Sequence, residues 1–312
     1  MNNSTCSRRS LVKGMAGAAA FAIVGGLGLA GCGDPAAKAD GSAPSDAAFK
    51  IGVLQLTEHP ALDAANKGFV AAVEEAGIGA KINQQNAQND QSACQTIAST
   101  LVNEGCDLIL AIATPAAQAV AGATSDMNPV VDQIDLLHQL APEAKKVGLL
   151  YCTAESNSKI QIELAAAELK KLGIEGVEYT ASSSNEVQQV VESMMGKVDA
   201  IYTPTDNTIA SAMTVIASIA NEHKVPTVCG EVAHVEADGL ASLSINYEEL
   251  GRRAGEMAVR ILTEGAEPAA MPIESMGAAE CDLVYNGQTA EALGIDVTSL
   301  VEDGATDVSA AE

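Results

Sequence analysis

Five short polar clusters carry the chemistry this sequence offers: Leu56-Thr57-Glu58-His59, Thr114-Pro115-Ala116-Ala117, Tyr151-Cys152-Thr153, Thr203-Pro204-Thr205-Asp206-Asn207 and Gly230-Glu231. Thr114-Pro115 has the pattern of a helix start, and the small Ala116 and Ala117 behind it leave unpaired first-turn amides open to an anion such as a carboxylate. The same pattern serves ordinary capping, with Thr114 satisfying its own helix and Pro115 at the first helical position. Asp206 and Glu231 are candidates for a ligand ammonium, while Asp206-Asn207 also reads as a helix cap. Beyond Arg9, arginine occurs only at Arg252, Arg253 and Arg260, on one late helical stretch, and there is no Trp. No strand-end guanidinium is therefore available to fork onto phosphate or a dicarboxylate. This inventory fits a zwitterionic amino acid better than a phosphate or a sugar.

Catalytic equipment is sparse. The four histidines (His59, His138, His223, His234) are far apart, and no GxSxG, HExxH or P-loop pattern occurs. A hydrolase would rest on Glu58, His59 and Asp206 meeting in space, and an imidazole beside a carboxylate is more often a binding pair. The seven cysteines form no CxxC and no Cys/His cluster, so neither structural zinc nor any other metal or cofactor is expected. The reading is a binding protein, not an enzyme.

The elements that must position these clusters alternate. Ile51 to Leu56, Ala80 to Asn83 and Asp107 to Ala113 read as strands. Between them Leu62, Ala65, Phe69 and Val73, then Cys94, Ile97 and Leu101, recur at helical spacing. After Pro142 the pattern restarts with strands at Val147 to Tyr151, Val177 to Thr180, Ala200 to Thr203, Pro226 to Cys229 and Leu240 to Ile245. Helical stripes between them run through Ile162, Ala166, Leu169 and Leu172, through Val187, Val190, Val191 and Met194, and through Ile209, Met213, Ile216 and Ala220. A late helix carries Leu250, Ala254, Met257 and Ile261, and Leu283 to Tyr285 is a last strand. Repeated strand-helix units imply parallel sheets covered by helices, and two series imply two α/β lobes. Ligands of such sheets sit beyond the carboxyl ends of the strands, where all five clusters fall.

The first fifty residues read as an address. Arg8, Arg9 and Lys13 precede an apolar stretch from Met15 to Leu29, and Leu29-Ala30-Gly31-Cys32 closes it in the manner of a lipoprotein signal over residues 1–31. Ser7-Arg8-Arg9-Ser10-Leu11-Val12-Lys13 also matches a twin-arginine export signal. Lipid on Cys32 would anchor the chain to a membrane. Residues 32–48, rich in Ala, Asp, Ser, Gly and Pro, read as a disordered tether. A net charge of −24 opposes binding to nucleic acid and to anionic headgroups.

Four separated stretches carry a family resemblance: Gln55-Leu56-Thr57-Glu58-His59-Pro60-Ala61-Leu62-Asp63, Ala111-Ile112-Ala113-Thr114-Pro115-Ala116-Ala117-Gln118, Ser125-Asp126-Met127-Asn128-Pro129 and Pro204-Thr205-Asp206-Asn207-Thr208. In this order, from about Phe49 to Ile295, they resemble the substrate-binding lipoproteins of ABC transporters, specifically the tryptophan/tyrosine-binding type. The resemblance implies a type I periplasmic-binding fold: two doubly wound parallel-sheet lobes, joined by a hinge, that close on an aromatic amino acid and dock on an ABC permease. It implies that Leu56, Glu58 and His59 line the cleft and that Thr114, Pro115, Ala116 and Ala117 receive the carboxylate. Ser125 and Asp126 fall in a ligand-contact segment. Thr205, Asp206 and Asn207 contact the ammonium or close the cleft, and Glu231 falls at a hinge. The implied lobes are 49–126 with about 246–275, and 127–245 with about 276–298, followed by an acidic tail over 299–312.

One departure marks the first lobe. Gly122-Ala123-Thr124 runs directly into Ser125-Asp126, where the family places a further strand, helix and strand, about 35 residues on the scale of a βαβ unit. The first lobe is therefore expected to be truncated, with an exposed sheet edge. The alternative to a receptor is a ligand-blind or sensory surface protein built on the same fold.

Overall fold

The computed structural model describes residues 49–121, 129–272, 274 and 276–309. Its first part is three strand-helix pairs: β1 (Phe49–Gln55), α1 (Pro60–Glu75), β2 (Ala80–Asn86), α2 (Gln91–Asn103), β3 (Leu108–Ile112) and α3 (Thr114–Ala121). The strands form one parallel sheet in the order β2-β1-β3. β1 lies in the middle, and its Ile51, Val53 and Leu54 are fully buried. Leu108, Ile109, Leu110 and Ala111 of β3 are only half-buried. A near-continuous apolar run suits a strand covered on both faces and flanked on both sides. Among the described residues β3 instead has one neighbour, so the expected sheet edge is present.

The second part runs through α4 (Val130–Leu140), β4 (Lys146–Cys152), α5 (Ser156–Lys171), β5 (Glu175–Ala181), α6 (Ser184–Met194), β6 (Ala200–Thr203) and α7 (Asn207–Glu222). It continues through β7 (Thr227–Cys229), α8 (Val232–Glu236), β8 (Ala241–Ile245), α9 (Tyr247–Glu264), β9 (Cys281–Tyr285), α10 (Gly287–Leu293), α11 (Thr298–Glu302) and β10 (Thr306–Asp307). Seven strands join in the order β10-β9-β8-β7-β6-β4-β5. The two-residue period of β4 divides its side chains between two cores. Val147, Leu149 and Tyr151 pack with Ile134, Leu137, Ile162 and Leu169 under α4 and α5. Leu150 faces the opposite way, among Val187, Val191, Met194 and Ile216 of α6 and α7. Helices on both faces make this lobe doubly wound.

Three features depart from the sequence reading. The stripe Val130, Ile134 and Leu137 builds α4, a whole helix ahead of Pro142, all three residues being fully buried. β9 runs antiparallel to β8, because the chain leaves β8 for α9 and returns from the opposite side without a parallel crossover. The segment 299–312, expected as an acidic tail, instead carries the end of α11 and β10, which pairs with β9 through Thr306 and Asp307. Leu300 is buried in the core, which anchors this segment in spite of its charge.

α9 lies along α1, and glycine permits the approach. A Cβ on Gly68 would stand 1.9 Å from the Glu248 carbonyl oxygen, and one on Gly251 1.9 Å from that of Ala65. Backbone thus touches backbone, and α9 joins the half of the molecule built on the first sheet.

Candidate binding site

The carboxyl ends of β1, β3, β4, β6 and β7 bring the predicted clusters to one region between the two sheets. Leu56 is buried at the end of β1, where its amide donates to the Ile112 carbonyl oxygen of β3 at 3.2 Å. Glu58 is exposed and His59 half-buried. His59 occupies the cap position of α1 without capping it, so its ring is free to reach across the cleft. Its Nε2 lies 3.1 Å from Oδ1 of Asn207, a residue of the other lobe. Its Nδ1 is buried with no hydrogen-bond partner among the described residues.

α3 starts one residue earlier than the sequence reading has it. Thr114 is already helical, Pro115 is second, and Ala113 holds the cap position, its carbonyl oxygen accepting from the Ala117 amide at 2.9 Å. Ala113 has φ +80°, in the left-handed region that costs a residue with a Cβ about 1–2 kcal/mol. Its methyl group cannot cap, so the first-turn amides of Thr114 and Ala116 receive no side-chain acceptor from that position. Pro115 and Ala116 are buried and Ala117 is half-buried. Ser125 and Asp126 lie outside the described residues, as do Cys32 and the rest of 1–48.

Asp206 is a cap. Its Oδ1 accepts from the Ile209 amide at 2.9 Å, and its Oδ2 from the Cys152 amide and the Ser158 hydroxyl, both at 2.7 Å. It is fully buried, and these contacts lock β4, α5 and α7 together, which leaves it no face for an ammonium. Thr205 is also occupied within its lobe: its amide donates to Gln161 Oε1 at 3.0 Å and its hydroxyl to the Gly230 carbonyl oxygen at 3.2 Å.

Glu231 is buried beside His234, Oε1 to Nε2 at 3.1 Å, and its Oε2 accepts from the Tyr247 hydroxyl at 3.3 Å. The carboxylate-imidazole contact is one of charge, since the N–H is not directed at the oxygen. Burial would raise the Glu231 carboxyl, but the charge of His234 beside it outweighs that and holds it below the ordinary range. Burial likewise disfavours the imidazolium of His234, and Glu231 overrides it and raises that group. Tyr247 opens α9, so the pair ties α8 of one lobe to the helix packed on the other, where the sequence reading places a hinge.

The decisive residue escaped the sequence reading. Glu155, in the loop after β4, is 3% exposed and accepts from four donors of α7. Oε2 takes the Asn207 amide and Nδ2, at 3.2 and 2.7 Å, and Oε1 takes the Thr208 amide and hydroxyl, at 2.9 and 3.1 Å. Burial, then the neighbouring Asp206 carboxylate, pushes the Glu155 carboxyl up to about 7. Its loop is held from the first lobe as well: Gln91 Nε2 donates to the Ala154 carbonyl oxygen at 3.3 Å, and Gln118 Nε2 to the Ser156 hydroxyl at 2.9 Å. Gln133 of α4 was missed with its helix. Fully buried, it donates to the carbonyl oxygens of Gly230 and Leu243 and accepts from the Tyr202 hydroxyl at 2.7 Å, which fixes the ends of β7 and β8.

Two depressions of about 360 and 390 Å³ lie between α1 and β2, on the outer side of the first sheet. None of the strand-end clusters lines either of them, so the convergent polar groups of the cleft mark the site better.

The profile of the family described as ABC transporter substrate binding protein matches residues 50–131 and 120–309. The chain belongs to the ABC transporter substrate-binding protein family. The two matched stretches overlap over residues 120–131, the place at which a segment is expected from sequence to be missing. A tyrosine-binding protein of Clostridioides difficile is 38% identical to this substrate-binding protein over 320 residues, covering 89% of this chain and 92% of the relative. Those 320 positions exceed 89% of a 312-residue chain, so several dozen residues of the relative face a gap here.

Among solved structures, an ABC domain of Streptococcus pneumoniae in complex with L-Trp superposes with a TM-score of 0.78 at 35% identity, covering 82% of this chain and 99% of that one. A substrate-binding protein with adhesive properties from Clostridium difficile, in its ligand-free open form, is 38% identical but gives 0.61, covering 83% and 99%. The substrate-binding protein thus has the type I periplasmic-binding fold. Its arrangement lies nearer the liganded relative than the open one, in agreement with the hydrogen bonds that cross its cleft. Families of this kind bind solutes and are not enzymes, and they work outside the cytoplasm; no described helix here is long and apolar enough to cross a membrane.

Proposed function

We propose that this substrate-binding protein captures an aromatic amino acid between its lobes and delivers it to an ABC permease, held at the membrane by lipid on Cys32 and performing no chemical step. The observation that carries the reading is that the uncapped start of α3 and the half-buried His59 follow neighbouring strands of the first sheet, β3 and β1, with His59 reaching Asn207 of the other lobe. The first suits a carboxylate, the second an ammonium or a ring edge. The aromatic side chain is supported by the relatives named for tyrosine and crystallised with L-Trp. Glu58, at the exposed rim, supplies negative charge near the amino end of the ligand. Thr114, Pro115, Ala116 and Ala117 hold the carboxylate, while Leu56, Thr205, Asp206 and Glu231 form the frame beneath. Titration calorimetry of the mature chain against the twenty amino acids is the test: heat is expected with L-tyrosine, L-tryptophan or L-phenylalanine. A folded protein silent to all twenty sinks the reading.

One observation favours a second reading, a ligand-blind or sensory surface protein. Among the described residues β3 has an open edge, which supports a first lobe shortened between Thr124 and Ser125, where the family resemblance puts a ligand contact. Folded chain that ignores every amino acid yet retains a membrane partner is its signature.

A further inference from the structure

We propose that Glu155, buried against the start of α7, is a positioning residue that decides which nitrogen of His59 carries the proton, and so makes the cleft receptive to an ammonium. The inference rests on the amino-acid-binding reading above.

Above about pH 7 the Glu155 carboxyl is ionised and only accepts hydrogen bonds, so the Asn207 group that meets it at 2.7 Å must be its Nδ2. The Asn207 amide N–H on the same oxygen, with the Thr208 amide and hydroxyl on the other, fixes the carboxylate in that pose. The amide of Asn207 cannot then flip, and Oδ1 is the atom turned to His59. That oxygen is also only an acceptor, so Nε2 of His59 must donate. A neutral His59 is left with a lone pair on Nδ1, the buried nitrogen that has no partner among the described residues. An acceptor there matches a ligand ammonium. Asp206 cannot take that role, since both its oxygens accept hydrogen bonds inside the protein, and Glu231 is fully buried with its charge met by His234 and its Oε2 by Tyr247. A neutral amide in place of Glu155 could present either N–H or C=O to Asn207, and the relay would lose its direction.

The test reads the tautomer directly, by nitrogen-15 NMR of the full chain at pH 8 or above, where Glu155 is ionised and His59 neutral, with no amino acid added. The wild type is expected to carry its proton on Nε2; a proton on Nδ1 overturns the proposal without any variant. Glu155→Gln is expected to give a mixture of tautomers. It is also expected to weaken L-tyrosine or L-tryptophan about tenfold while leaving the deaminated analogue, 3-(4-hydroxyphenyl)propionate, within twofold. A folded Glu155→Gln protein with the wild-type tautomer and undiminished preference for the amine overturns it. Should that variant fail to fold, Asn207→Ala cuts the relay at its centre, and an unchanged tautomer there overturns it equally. Because the tautomer is read without ligand, a chain that binds no amino acid would defeat the receptor reading and leave this one to be judged on its own spectrum.

Discussion

At the scale of single residues, the two buried carboxylates on the start of α7 do different work. Asp206 spends three hydrogen bonds on pinning its own lobe, so Asp206→Ala strands the Cys152 amide and the Ser158 hydroxyl in an apolar setting. Losing a cap and leaving buried donors unmet costs about 2–4 kcal/mol, read as a shift of the urea midpoint; a loss below about 1 kcal/mol would show the cap to be dispensable. Glu155 instead makes stability depend on pH. Its folded value of about 7 lies above the ordinary 4.5, so between the two the folded chain holds a proton that the unfolded chain has lost. Stability should therefore fall as pH rises from about 5 to about 7, by at most about 3 kcal/mol. The groups facing this carboxylate are Asp206, the Cys152 thiol, Asn207 and Thr208, and all remain in Glu155→Gln. The difference in unfolding free energy between wild type and that variant should thus change between pH 5 and pH 8; a flat difference sinks the assignment. Asp206 was legible in sequence as a cap because Asp before a helix has that local role. Glu155 was not: in a chain with 41 acidic residues a loop glutamate reads as solvated, and only the fold buries it.

At the scale of elements, strands and their order of appearance were legible because buried parallel strands are short, apolar and β-branched, as in Ile51 to Leu54 and Val147 to Leu150. The direction of β9 was not, since the antiparallel turn follows from where α9 must dock, a long-range matter with no local signal. α4 did have a signal, the stripe Val130, Ile134 and Leu137, but the segment opens directly after the region where the chain departs from its family. The α1–α9 contact makes a sharp prediction. A methyl group on Gly251 meets the Ala65 carbonyl oxygen at 1.9 Å, an atom that cannot rotate away, so the two helices must part. Gly251→Ala should cost about 3 kcal/mol or more. Gly68→Ala should do the same, and the double variant should lose less than the sum, since one separation relieves both clashes. Additive losses would mean that the helices accommodate each methyl group separately.

At the scale of the whole molecule, the two lobes are unequal among the described residues, with three strands in one sheet and seven in the other. Among the described residues β3 has one neighbour and mostly half-buried side chains, whereas β4 and β6 each lie between two strands and are buried. Opening of β3 and α3 should therefore precede global unfolding, and amide exchange there should be faster than in β4 by orders of magnitude; equal protection would mean that the edge is covered. Closure is the property most exposed to this weakness, because Gln118 of α3 is one of its contacts. Gln91 and Gln118 both grip the Ala154–Ser156 stretch without belonging to the proposed ligand-contact set. Each such bond at the surface contributes about 0.5–1 kcal/mol. Removing both shifts the balance of open and closed forms and should weaken ligand about tenfold, through faster release, by the fraction of binding-competent molecules that is lost. Gln91→Ala with Gln118→Ala should leave the melting temperature nearly unchanged, since neither side chain supports a core. Calorimetry and stopped-flow release of L-tyrosine decide it: affinity within twofold of wild type would mean that closure depends on other contacts, His59 with Asn207 and Glu231 with Tyr247.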